Sequence, residues 1–501
     1  MNFQKLLSTI MVTAVAVTMF ANSVDEPSVE AKKQAPHARQ QRRVTWASTS
    51  DGLGKYGTKS NGAVPSIGEC TIPVVMVQFS DLSFKETTTV EKMQRYYNEE
   101  GYHDEADCPG SVRDYFVAQS GGQFVPNFEV VGVVTLGKSY KDYGASAGDV
   151  EGRYLTMPSD VLAAAKTQLP TVDFSKYVMP ASNGNYDAGV PLLCMFYAGC
   201  GEATEKPGTG DDYIWPREWD CADDPKGGKY NNVQFNSFFV GNELNTGGEK
   251  LMGIGLFCHE FSHALGLPDF YPTDGGTGKD CAFGNWSVME TGMYVKDGYA
   301  PIGYTAYEKS YMGWLDLKEI GSEKTITLQT PFGKAANSAY IVRNSMTECF
   351  IIENRQPGTW YPEEYGSGVM VTRVAYKYNQ WKGNNLNTNQ AKKRCCMLTA
   401  DSEKLYYSAA SSNLYGNGQN SIASLPLLDG TAKEMGIGKI TKNADGTITL
   451  TMGDIDPAGI QIVTTATPKA GIYTLDGRFV GTDFNALNRG LYIVNGKKVV
   501  K

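Results

Sequence analysis

The sequence predicts a mixed α/β (α+β) body over residues 67–320, followed by an all-β, sandwich-like region over residues 321–455. Three observations carry this expectation. Apolar strand-like runs alternate with helical periods between Thr71 and Ala264. An apolar helical segment carrying His259-Glu260-x-x-His263 follows the last of those strands. Beyond Trp314 the pattern changes to short alternating segments separated by turn residues.

The 501 residues allow two or three domains and a sizeable core. A formal net charge of -8, with no basic stripe in the body of the chain, argues against nucleic acid as a partner. Met1–Lys5 and then Leu6–Ala21 form a charged start and a short apolar run, and Ala21 and Ser23 offer a small-residue cleavage site. Residues 1–23 therefore read as a secretory signal peptide. The run is shorter than the roughly 20 residues of a membrane span, so a secreted or cell-surface protein without a span is expected. Residues 24–66 are polar and locally basic, the composition of a flexible pro-segment open to proteases. Asp51 or Cys70 is placed to silence a metal site in such a zymogen; a turn aspartate and a disulfide cysteine are the plainer readings. Ten cysteines in an exported chain permit disulfides, with Cys194–Cys200, or either with Cys221, as local candidates.

In order, the expected elements are a buried strand at Thr71–Phe79 and helices around Val90–Asn98 and Val112–Gln119. Strand-like runs follow at Phe124–Leu136, then a helix around Ser159–Gln168. Val190–Ala198 reads as another buried strand and Val233–Val240 as a more exposed one. A helix over about Gly248–Leu265 comes next. The later strands are Thr325–Leu328, Tyr340–Val342, Cys349–Glu353, Gly368–Tyr376 and Ile437–Met452.

Two histidines four apart on a helix differ by about 40° around its axis, so both rings face one side. That spacing suits two ligands to one zinc ion, with Glu260 beside them to handle protons. Gly266 can take the left-handed conformation that ends a helix and Pro268 stops its continuation, so the chain turns back where Asp269 can add a third ligand. Only four histidines exist, and the other two are His37 and His103. An oxygen ligand is therefore expected: Asp269 leads, with Glu308 and Glu290 as rivals, and His103 is the alternative if the site has three histidines. Zinc in such a site lowers the pKa of a bound water toward about 7, and Glu260 is placed to accept the proton. Cys258 reads as a buried apolar side chain rather than a ligand.

Several further motifs occur in a fixed order: Pro73–Asp81, Gly110-Ser111-Val112-Arg113-Asp114-Tyr115-Phe116, Tyr197-Ala198-Gly199 and Ile214-Trp215-Pro216. The metal motif follows, then Trp286–Gly292, Tyr307-Glu308-Lys309 and Gly313-Trp314. With these the chain resembles the immune-inhibitor-A-like family of secreted bacterial metallopeptidases over roughly residues 67–320, more weakly to about 400. The resemblance implies a zincin-type fold, a zinc endopeptidase activity and protein or peptide substrates. It also makes Met289 the apolar floor beneath the metal and Tyr271 or Tyr294 an assisting hydroxyl. Two departures stand out. The calcium-type loop is replaced by Ser182–Asp187, which has few carboxylates, so calcium there is doubtful. The strand after Glu353-Asn354-Arg355 reads Thr372-Arg373-Val374-Ala375 and lacks the family's histidine. Residues 456–501, from Gly471–Arg478 through Gly490–Lys497, resemble a type IX secretion sorting domain, which implies secretion machinery as a partner; a last hairpin is the plainer reading. An inactive surface adhesin on a peptidase scaffold is the alternative function, and another zinc hydrolase, such as an amidase, is a third.

Overall fold

The computed structural model describes residues 62–501 except 106, 145–153, 181–185, 203–212, 246, 274–280, 323, 332–337, 402–404, 406–408, 454–470, 475–478 and 495–496. The expected signal peptide, the pro-segment up to residue 61 with His37 and Asp51, and most of the calcium-type loop lie outside the described residues. So do the Asp476-Gly477 and Asn495-Gly496 turns. The chain divides into two compact units, residues 1–455 and 456–501.

The first unit is built on a mixed sheet. Its strands are β1 (Gly68–Gln78), β2 (Phe124–Thr135), β3 (Val190–Cys200), β4 (Arg217–Asp220), β5 (Lys229–Tyr230) and β6 (Val233–Leu244). The order is β2-β1-β3-β6-β4, with β5 on the end of β6. β1, β2, β3 and β6 run parallel, whereas β4 is antiparallel to β6. Both faces are covered, which explains why β1 and β3 read as continuous apolar runs. Ile72, Val74, Met76, Leu192, Cys194 and Phe196 join the core on one face. Val75, Val77, Leu193, Met195 and Tyr197 join the cluster on the other.

Helices α1 (Val90–Asn98), α2 (Val112–Ser120) and α3 (Met157–Gln168) fall where the periodicity predicts. α2 starts on a capping box: the Ser111 hydroxyl accepts from Asp114 N–H and the Asp114 carboxylate accepts from Ser111 N–H. The metal-motif helix, α4 (Gly255–Ala264), is shorter than the expected Gly248–Leu265. Tertiary contacts override the apolar pattern before it. Leu251 bridges Leu244, Met252 N–H donates to the Glu243 carbonyl, and a Cβ at Gly253 would lie 2.3 Å from the Gly298 carbonyl carbon. Every residue of α4 is buried, and Phe257 and Phe261 pack among Phe116, Phe128 and Phe239 with ring centroids 4.9–5.3 Å apart.

Residues 62–66, the end of the expected pro-segment, pack into the folded core. Ala63 and Val64 are buried, Val64 N–H donates to the Ala264 carbonyl at 3.0 Å, and Trp314 Nε1 donates to the Ser66 carbonyl at 2.6 Å. This short segment covers the end of α4, and its five small or apolar residues give no periodic signal.

Residues 321–455, expected as a sandwich-like domain, fall in the same compact unit as the α/β body. Helix α5 (Ala306–Tyr311) leads into β7 (Lys318–Glu319), β8 (Thr325–Leu328), β9 (Ala339–Arg343) and β10 (Glu348–Arg355). β11 (Gly368–Ala375), the short helix α6 (Tyr378–Lys382) and β12 (Cys395–Leu398) follow. One sheet has the order β12-β11-β10-β9-β7. A second joins β8 to the hairpin of β15 (Ile437–Lys442) and β16 (Ile448–Met452), after the small ladder of β13 (Leu425–Pro426) and β14 (Ala432–Lys433). Side-chain alternation sends Tyr340, Val342, Phe350, Ile352, Val369 and Val371 into a cluster shared with β8, β15 and β16. Their neighbours Ile341, Cys349, Ile351, Met370 and Val374 enter the core that contains α4. With each face of one sheet committed to a different core, the region cannot be lifted off the α/β body.

In the second unit, the described residues form a four-stranded antiparallel sheet of β17 (Ile472–Tyr473), β18 (Phe479–Gly481), β19 (Leu491–Val494) and β20 (Lys497–Val500), ordered β18-β17-β19-β20. No helix among the described residues is long and apolar enough to cross a membrane. The disulfides expected from the cysteine count are absent: all ten cysteines are thiols. Cys194 and Cys200 sit six residues apart on β3, about 20 Å along an extended strand, far beyond disulfide reach.

Candidate metal centre

α4 ends in a Schellman turn: Gly266 N–H donates to the His263 carbonyl at 2.8 Å and Leu267 N–H to the Ser262 carbonyl at 3.0 Å. Gly266 has φ 104°, a conformation that a residue with a Cβ rarely adopts. The turn does two things for the site. It presents the Leu267 carbonyl to His263 Nδ1 at 2.7 Å, and it brings Asp269 back over the helix. His259 Nδ1 meets the Val288 carbonyl at 2.8 Å. A carbonyl can only accept, so both Nδ1 atoms carry the proton and each neutral ring turns an Nε2 lone pair inward.

Asp269 Oδ1 lies 3.2 Å from His259 Nε2 and 3.0 Å from His263 Nε2. The three residues are buried, and their ligand atoms fall within 4.8 Å of one another. Asp269 Oδ1 has no hydrogen-bond partner. Three electron-pair donors aimed at one point, with their protons facing outward, form a cradle for a cation. The edge of a tetrahedron about a zinc ion with ligands at about 2.0 Å is about 3.3 Å, close to the separations here. The residues therefore fit zinc.

Asn384 fixes the third donor. Its Nδ2 donates to Asp269 Oδ2 at 2.5 Å, and its Oδ1 accepts from Asp269 N–H at 2.7 Å. Glu260 is also buried. Its Oε2 accepts from the Glu218 N–H of edge strand β4 at 2.7 Å, which steers the carboxylate beside the histidines. Burial pushes its pKa up to about 7. The Tyr271 ring lies nearly parallel to that of His259, with centroids 6.3 Å apart. Tyr294 feels Glu260: burial first, then that carboxylate, raises its pKa.

The rival ligands are placed elsewhere. Glu290 accepts from the Ala282, Phe283 and Gly284 amides. Glu308 accepts from the Ser287 hydroxyl and the Thr305 amide, closing the capping box of α5. His103 is exposed, with Nδ1 at 2.7 Å from the Gly101 carbonyl. Met289 is fully buried next to Val288, and its carbonyl accepts from Phe270 N–H. The sequence reading missed Asn384, Glu218 and Val288. Two of them act through the backbone, which leaves no side-chain signature, and Asn384 lies 115 residues from Asp269 in a segment that reads only as a turn.

Residues 72–321 match the family model described as "Immune inhibitor A peptidase M6, catalytic domain". Immune inhibitor A of Bacillus thuringiensis subsp. alesti is 25% identical over 357 residues, covering 63% of this chain and 49% of that protein. The Pre-pro-metalloprotease PrtV of Vibrio cholerae serotype O1 is 26% identical over 223 residues, covering 40% of this chain and 23% of that protein. The chain thus spans about half the length of the first relative and under a quarter of the second. Residues 72–321 are thus similar to the catalytic domain of the immune inhibitor A (M6) peptidases.

Proposed function

We propose that the protein is an exported zinc endopeptidase that hydrolyses peptide bonds in proteins, with His259, His263 and Asp269 as metal ligands and Glu260 as general base. The observation that carries this reading is the convergence of three outward-protonated or acceptor-only donors beside a buried carboxylate. Zinc held there supplies a Lewis acid that polarises a peptide carbonyl and acidifies water. Glu260 keeps Oε2 on the Glu218 amide, so Oε1 is the atom that takes a proton and returns it to the leaving amine. Burial favours a carboxyl that releases as readily as it accepts. Edge strand β4, which touches Glu260, offers an extended peptide a strand to lie against. Export rests on the signal-like residues 1–23, zymogen character on the polar composition of the segment after them, and delivery through secretion machinery on the sorting-type residues 456–501.

The test uses purified, pro-segment-trimmed protein on a denatured protein substrate, with metal content measured in parallel. Glu260→Gln is expected to retain stoichiometric zinc while activity falls about 10²–10⁴-fold. Wild type that binds no zinc and cleaves nothing would sink the proposal in favour of the adhesin reading.

A further inference from the structure

Three stretches that carry the family resemblance take no part in the metal centre, yet they meet at one cavity. They are helix α2, Tyr307-Glu308-Lys309 on α5, and Glu353-Asn354-Arg355 at the end of β10. The cavity measures about 690 Å³, and an adjoining one of about 280 Å³ shares Gln119, Tyr304, Lys309 and Arg355 with it. Volumes of this size suit a small organic ligand.

Arg355 is 7% exposed. Its two terminal nitrogens donate to the Tyr304 and Gly303 carbonyls at 3.2 and 3.3 Å and to Glu353 at 3.4 Å, and the guanidinium stands 4.8 Å over the Tyr361 ring. Its Nε is buried with no partner. Lys309 is half-buried, and among the described residues its ammonium makes no hydrogen bond. Burial and then Arg355 pull its pKa down to about 8, a sign that the two cations share poorly hydrated space. Gln119 uses Oε1 to accept from Tyr304 N–H, and its amide nitrogen donates to no described residue.

Apart from the Tyr361 hydroxyl, which can donate or accept, the loose groups are donors. Glu353 pairs with Arg355 and accepts from the Ala306 amide, and the Lys309 ammonium, though it feels Glu353 and Glu308, hydrogen-bonds to neither. A singly charged acceptor can take the free hydrogen bonds of that ammonium; a second negative charge would face the buried carboxylates Glu353 and Glu308. Trp360, Tyr361 and Val117 supply the apolar part of the lining. We propose that this cavity is a binding site for a monoanionic carboxylate carried on an apolar or aromatic group, gripped by Lys309 and Arg355. The site is separate from the metal centre and does not depend on the peptidase reading.

Calorimetric titration of the full chain with 3-phenylpropionate tests it, with 3-phenylpropanol and phenyl phosphate as comparison ligands. Saturable one-to-one binding of the carboxylate is expected, at least about 10-fold tighter than the alcohol or the phosphate ester. Lys309→Met should weaken it about 10-fold or more and Lys309→Arg should recover much of the loss; Lys309→Gln replaces Lys309→Met if the latter does not fold. No saturable binding, equal binding of the alcohol, or tighter binding of phenyl phosphate would overturn the proposal. An affinity unchanged by Lys309→Met would do the same, since the carboxylate would then sit elsewhere, the metal centre included.

Discussion

Replacing Asn384 with glycine probes how far the third metal donor depends on a residue that contributes no ligand. Asn384 sits at φ 51°, where glycine is at ease, so the substitution removes the side chain without straining the turn. Two hydrogen bonds disappear: the one from Nδ2 to Asp269 Oδ2 at 2.5 Å and the one from Asp269 N–H to Oδ1 at 2.7 Å. The first serves a buried carboxylate and is worth about 1.5–3 kcal/mol; the second is an ordinary amide bond, worth about 0.5–1.5 kcal/mol. Part of that total stabilises the metal-free fold, and the remainder holds Asp269 in register for the metal. Loss of such a supporting residue typically costs about 10–100-fold in metal affinity, or about 1.4–2.7 kcal/mol. Competition against a chromophoric chelator measures zinc affinity, and urea unfolding of the metal-free protein measures the fold separately. Asn384→Gly is expected to weaken zinc binding by about 10–100-fold. Zinc affinity within two-fold of wild type, with only the metal-free stability reduced, would refute the positioning role.

Two further substitutions or treatments check the fold. At Gly62 a Cβ would stand 1.8 Å from the Ala264 carbonyl oxygen; Gly62→Ala should destabilise the protein by about 1–3 kcal/mol in urea unfolding, through overpacking at the end of α4. An unchanged midpoint would mean that residues 62–66 do not seat there in solution. Thiol titration of denatured, unreduced protein should count all ten cysteines, and reductant should leave the melting temperature unchanged. Fewer thiols, or a melting temperature lowered by reductant, would restore disulfides.

Much of the metal centre was legible because α-helical geometry is local. The spacing of His259 and His263 fixes their common face, and Gly266 with Pro268 announces the turn that returns Asp269. The choice among Asp269, Glu308 and Glu290 was not local. Glu308 and Glu290 are buried acids in good sequence contexts, and their backbone and hydroxyl partners come into view only in the folded chain. The accessory strands were likewise legible as strands. That β9, β10 and β11 divide their two faces between two cores was not, because alternation along a strand is the same whatever each face meets.

The sequence by itself determined the mixed α/β body, the two-histidine helix, its glutamate and the turn that follows, since all of these rest on short-range periodicity and stereochemistry. Tertiary structure alone decided where α4 begins, that residues 62–66 complete its core, that the cysteines form no disulfide, and that Asn384, Glu218 and Val288 hold the metal-motif side chains. Those outcomes depend on which backbone amide or carbonyl arrives from a remote segment. Every residue carries the same two groups, so their placement has no signature until the chain is folded.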